Sequence, residues 1–177
     1  MKKMLRSRKA LSPVIATVIL VSVTIVVAVS VAYWMGSIAG TYTRFEKVEI
    51  PTAYANKIAS FENNPSTVPQ SPVNFTGNNG WNITIVLKNS GSADATIDNV
   101  FINGKPYSQF SYVAIRYGGS LVSGTLSITV NAGGSATLEV LILQGTDQGI
   151  TFSSGTALDI KLHSAAGKEY PKLMDLT

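Results

Sequence analysis

The sequence predicts an α+β chain: one long apolar N-terminal α-helix followed by an antiparallel β-sandwich of the immunoglobulin-like kind, a lollipop in outline. Two observations predict it. No charged residue lies between Lys9 and Arg44, and that run is mostly apolar, as a membrane-competent helix requires. Beyond residue 80, six or seven short runs alternate apolar and polar residues between Gly/Ser/Asn clusters, the pattern of a sandwich. The expected divisions are 1–10, short and basic; 11–50, the helix; 51–80, a polar transition; and 81–177, the β-domain.

Composition narrows the function. The 177 residues are 14% charged and 45% hydrophobic, against roughly 25% charged in an average soluble chain. The formal net charge is +4, yet five of the 14 basic residues (Lys2, Lys3, Arg6, Arg8 and Lys9) fall in the first nine positions, and no acidic residue precedes Glu46. The remainder is nearly neutral, which argues against a nucleic-acid partner. With no cysteine, disulfides, thiolate metal sites and a cysteine nucleophile are excluded.

The helix begins at Leu11-Ser-Pro-Val-Ile-Ala. Pro13 sits in the first turn, where its missing N–H is harmless. Valine and isoleucine dominate, poor helix formers in water, but in lipid every backbone polar group must be satisfied internally. The run is apolar on all faces, so something must cover all faces. Leu11 to Ile38 would span roughly 42 Å at 1.5 Å per residue, longer than a hydrocarbon core of roughly 30 Å. The pattern allows the helix to continue amphipathically through Tyr42, Phe45 and Val48 to Ile50, with Pro51 as its stop. Candidate packing residues are Pro13, Ile15, Val18, Ile19, Val23, Val26, Val27, Val31 and Trp34, with Gly36 and Gly40 at the Gly-x-x-x-Gly spacing that permits close helix approach. Tyr33 and Trp34 lie where an interfacial aromatic belt would sit.

Residues 63–80 are rich in Pro, Gly and Asn and read as a connection. The strands are expected at Trp81–Lys88, Thr96–Ile102, Tyr112–Arg116, Leu126–Val130, Ala136–Leu143, Ala157–Ser164 and Tyr170–Leu176. Asn103-Gly104 is a tight-turn signal.

The junction Arg8-Lys9-Ala10-Leu11-Ser12-Pro13-Val14-Ile15-Ala16 resembles the start of archaeal type IV pilins. Val86-Leu-Lys-Asn-Ser-Gly-Ser-Ala-Asp-Ala-Thr-Ile-Asp and Gly167-Lys-Glu-Tyr-Pro resemble their β-domains in style. The resemblance implies a prepilin with a class III signal peptide, cut by a membrane-bound prepilin peptidase between Ala10 and Leu11, with Lys9 in the recognition site. It implies a membrane-held precursor, an assembly platform, and a mature chain that polymerises with copies of itself into an extracellular cell-surface filament for adhesion or cell contact. Bacterial pilins carry glutamate at the fifth mature position; here it is Ile15, as the archaeal branch allows. An archaellum filament subunit is the neighbouring alternative. Five cations would hold the helix end on the cytoplasmic side. They would also forbid its burial in a dry bundle, so removing them would license assembly.

Two other readings compete. A secretory signal cut after Ala39 would use Ser37-Ile38-Ala39, but the apolar region exceeds the usual 7–15 residues of such signals. An uncleaved anchor carrying an external binding domain explains the helix but not the Ala10-Leu11 junction. An enzyme is not expected, nor a cofactor or metal. His163 is the sole histidine, in a strand-like run, and reads as a solvated strand position. Asp94 and Asp98 flank Thr-Ile near a turn, and four-residue spacing alone does not make a cation site. Asn74-Phe-Thr76 and Asn82-Ile-Thr84 match the N-glycosylation pattern; Asn74 lies in the connection and Asn82 in a strand. The ligand of an adhesive surface is not encoded in any motif.

Edman sequencing of the mature protein should read Leu-Ser-Pro-Val-Ile-Ala; Gly-Thr-Tyr-Thr would mark a secreted soluble chain and Met-Lys-Lys an uncut anchor.

Overall fold

Helix α1 runs Pro13–Tyr42, 30 residues, about 45 Å at 1.5 Å per residue. The computed structural model describes residues 13–64, 68–69 and 73–177. The chain divides into two units, Met1–Thr43 and Arg44–Thr177. In the first, α1 closes with the Thr43 N–H on the Ala39 carbonyl.

The helix therefore stops eight residues short of the expected Ile50. Val48–Ile58 is a strand, β1, and not a helical extension or part of a polar transition. Its Val, Ile, Thr and Tyr content suits a pleated surface. Pro51, expected to end a helix, instead sits in an edge strand at the register shift between Glu49 and Thr52, the place where a strand tolerates a residue with no N–H to donate.

The second unit is a two-sheet sandwich. One sheet orders β1, β2 (Gly80–Asn89), β8 (Ser135–Leu143), β5 (Val113–Tyr117) and β6 (Ser120–Leu121). The other orders β12 (Glu169–Asp175), β11 (Ala157–Ser164), β3 (Ala95–Ile102) and β4 (Lys105–Pro106), with β7 (Ile128–Val130) also paired to β3. Every ladder is antiparallel. Taken as the main strands, β1-β2-β8-β5 and β3-β11-β12 reproduce the ABED and CFG order of a constant-type immunoglobulin sandwich. A separate hairpin pairs β9 (Gly145–Asp147) with β10 (Ile150–Phe152). Asn103 and Gly104 both adopt positive φ, 47° and 81°, as a two-residue type I′ turn between β3 and β4 requires.

Alternation builds the core. Ile83, Ile85 and Leu87 of β2, Leu138, Val140 and Ile142 of β8, and Leu158, Ile160 and Leu162 of β11 all point inward into one cluster. Trp81 is fully buried there, and its indole N–H donates to the Thr177 carbonyl at 3.0 Å. A second cluster lies on the other side of β8, where Phe61, Val68 and Phe75 pack with Leu141 and Leu143. The stretch expected to be a polar connection thus covers the outer face of the first sheet. Three apolar anchors, seven residues apart, hold it down.

On that sheet Arg116 and Glu139 are directly opposite. Arg116 Nε and Nη2 donate to Glu139 Oε2 and Oε1 at 2.6 and 2.9 Å, and Asn82 Nδ2 donates to Oε1 at 3.1 Å. The Arg116 hydrogen bonds hold the Glu139 carboxyl below its ordinary value, against a smaller opposing effect of burial. A carboxylate with a lowered folded pKa stabilises the fold above its unfolded pKa, and that stabilisation is lost as pH falls through the folded value. Glu139→Gln should therefore lower stability near neutral pH by about 1–2 kcal/mol and flatten the acid limb of the stability profile, read from urea denaturation at pH 3 to 7.

Candidate assembly surface

Within α1 no residue is buried, and the exposed side chains are apolar all round. Ile15, Val18, Ile19, Val23, Val26, Val27, Val31 and Trp34 are all exposed, as is Pro13. At 3.6 residues per turn they spread over about 220° of the rod, and Val14, Val21, Ile25 and Met35, also exposed, cover the rest. A Cβ built on Gly36 or Gly40 meets nothing within 4 Å. Ala28, Ala32, Gly36 and Gly40 recur four apart and so share one face. The Lys9, Ala10 and Leu11 cleavage residues lie outside the described residues.

Five hydroxyls of this helix are satisfied within it. Thr17, Ser22, Thr24, Ser30 and Thr41 each donate to a carbonyl three or four residues back, at 2.7–3.3 Å. Such back-bonding removes their need for water. Length and composition make α1 sufficient to cross a membrane.

Where the chain enters the sandwich, the Asn89-Ser-Gly-Ser turn grips it. The Phe45 carbonyl accepts the N–H groups of Ser92 and Ala93 at 2.9 and 3.1 Å, and the Lys47 carbonyl accepts that of Ser90 at 2.8 Å. In return Phe45 N–H donates to Ser92 Oγ at 3.1 Å. Asn89, fully buried, organises the turn: its Nδ2 donates to the Ala93 and Val130 carbonyls, and its Oδ1 accepts from Gly91 N–H. Gly91 has to be glycine, because an added Cβ would lie 2.4 Å from the Phe45 oxygen and 2.6 Å from the Lys47 nitrogen. In the sequence Asn89-Ser-Gly-Ser is one of the Gly/Ser/Asn clusters that separate the alternating runs. Its grip on residues 45–47 is a contact about 45 positions away in the chain, which no local pattern announces.

The polar residues singled out in the sequence fall elsewhere. Asp94 accepts the Ala132 N–H at 2.8 Å, a turn contact. Asp98 is the extra residue of a bulge in β3, opposite the His163–Ser164 step, and it pairs with His163 Nδ1 at 2.6 Å. The two aspartates thus serve different partners. Among the described residues no group of three or more His, Cys, Asp or Glu is placed to hold a metal ion. Asn74 is exposed, and Asn82 is held in the Glu139–Arg116 pair.

No family model matches the chain, and neither does any curated protein. Among solved structures it is similar to one described as the structure of the Iho670 flagellar-like filament, at 10% identity, over 94% of this chain and 99% of that one, with a TM-score of 0.37. That likeness is too distant to carry a function across.

Gly91→Ala should destabilise the sandwich by about 2–3 kcal/mol through backbone overlap. Gly104→Ala, strained in φ but open in space, should cost only about 1–2 kcal/mol. Urea denaturation of the two variants checks the difference.

Proposed function

We propose that the chain is the structural subunit of an extracellular type IV pilus-like filament. Its helices pack together in the core once the basic leader is removed, and its sandwiches face outward. The observation that carries this reading is α1 itself: 30 residues with none buried, uncharged and apolar on every side, in a chain whose other unit has a core of its own. A helix that is apolar all round is buried by lipid or by other helices. Lipid alone requires only about 20 such residues. Lipid first and neighbouring helices later accounts for the greater length and for the Ala10-Leu11-Ser12-Pro13 junction.

The driving force would be packing. Lipid tails are as apolar as valine, so leaving the bilayer gains little from desolvation and must gain from close contact. Small residues every four positions favour such contact. A heterologous contact that does not close on itself propagates as a helical filament. The partners are then further copies of the chain, the peptidase and platform that process it, and the membrane that holds the precursor. The role is mechanical and adhesive, without catalysis. The Leu11-Ser12-Pro13 opening favours a pilus over an archaellum.

A lysine at the middle of α1 tests this. Val26→Lys should abolish filaments in electron micrographs of sheared cell-surface material, because a buried unpaired charge in a helix bundle is very costly. Thr84→Val, on the sandwich, should leave them intact. Wild-type cells bearing no filaments and a chain that keeps Lys2 and Lys3 would instead establish the uncleaved anchor.

A further inference from the structure

We infer that Asn74 carries an N-linked glycan and that Asn82 does not. This rests on the proposal that the sandwich is exported. Both residues head an Asn-x-Thr triplet, yet their surroundings differ in the one atom that matters, the side-chain nitrogen.

At Asn82 that nitrogen is engaged. It donates to Glu139 Oε1 at 3.1 Å, the oxygen that also receives Arg116 Nη2 at 2.9 Å. Asn82 sits within β2, paired on both sides, to Asn56 of β1 and Leu141 of β8. It is only partly exposed, and its Oδ1 is buried. A sugar on Nδ2 would have to break the bond to Glu139 and occupy a sheet face.

At Asn74 the arrangement is reversed. The side chain is exposed, and its oxygen is the engaged end, accepting the Thr76 N–H at 2.9 Å. That Asx turn draws the carboxamide over Thr76 and brings the two determining residues of the triplet into one turn. Between them Phe75 is fully buried, its ring 5.5 Å from that of Phe61. The Phe75 N–H donates to the Pro69 carbonyl and the Gly77 N–H to the Phe61 carbonyl. The middle residue thus anchors the loop and holds its neighbours at the surface.

The reaction needs an activated donor, a lipid-linked glycosyl phosphate. The Asn74 nitrogen bonds to the sugar's anomeric carbon, the carbon–oxygen bond to phosphate breaks, the phosphate leaves with that electron pair, and one amide proton is released.

Surface-sheared and cell fractions from cells making the full chain provide the test. Electron-transfer fragmentation of the tryptic peptide 58–88, which holds both asparagines, should place the added mass on Asn74 and leave Asn82 bare. Asn74→Gln and Thr76→Ala should raise gel mobility equally, Thr76→Ser should retain the modified form, and Thr84→Val should change nothing. Unmodified Asn74 in the surface fraction, or sugar on Asn82, would overturn the inference while leaving export intact. Recovery of the chain from the cytoplasm alone, scored before any mass is measured, would overturn both.

Discussion

A rod of valine and isoleucine that is apolar on every side cannot remain in water. From Pro13 to Tyr42 no side chain is buried, while the sandwich that follows is already saturated, with Trp81, Ile85, Leu138 and Leu162 fully enclosed. The first unit thus depends on an apolar surrounding. Burial at roughly 25 cal/mol per Å² sets the pressure to find that surrounding, and the Ser and Thr back-bonds remove the polar obstacle to finding it.

The sandwich answers a different demand. It has to stay folded while attached to such a rod, without disulfides. It does so with two closed apolar layers and with a polar grip on its own entry segment. Asn89, Gly91 and Ser92 fasten residues 45–47 by backbone hydrogen bonds. A pull along the entering chain would meet that fastening before it met the core.

Much of this was legible in the residues. The helix announced itself by lack of charge, and β2 and β11 by near-strict alternation, because period-two burial is a strong signal when one face is dry. What stayed hidden was non-local. Val48–Ile50 reads as the amphipathic tail of a helix, and residues 51–58 as polar transition, until β2 is available to pair with them. Phe61, Val68 and Phe75 look isolated among Pro, Asn and Ser until Leu141 and Leu143 offer them a floor. The Asp98–His163 pair depends on a bulge, which shifts register without leaving a mark in composition. Of the proposed assembly surface, the sequence names apolar residues, and those among the described residues are exposed. The entry grip could not be named in advance, since it joins positions about 45 residues apart.

The inward-turned hydroxyls of α1 have one more effect. From Pro13 to Ala32, where every side-chain hydroxyl is occupied at home, the rod offers a neighbour only dispersion contacts, with no polar pair to fix one axial offset. Side-by-side copies could slide by a turn at little cost. A fixed stagger between subunits would then fall to the small-residue face of Ala28, Ala32, Gly36 and Gly40, to the exposed polar ends of Tyr33, Trp34 and Tyr42, and to the sandwiches outside the greasy layer.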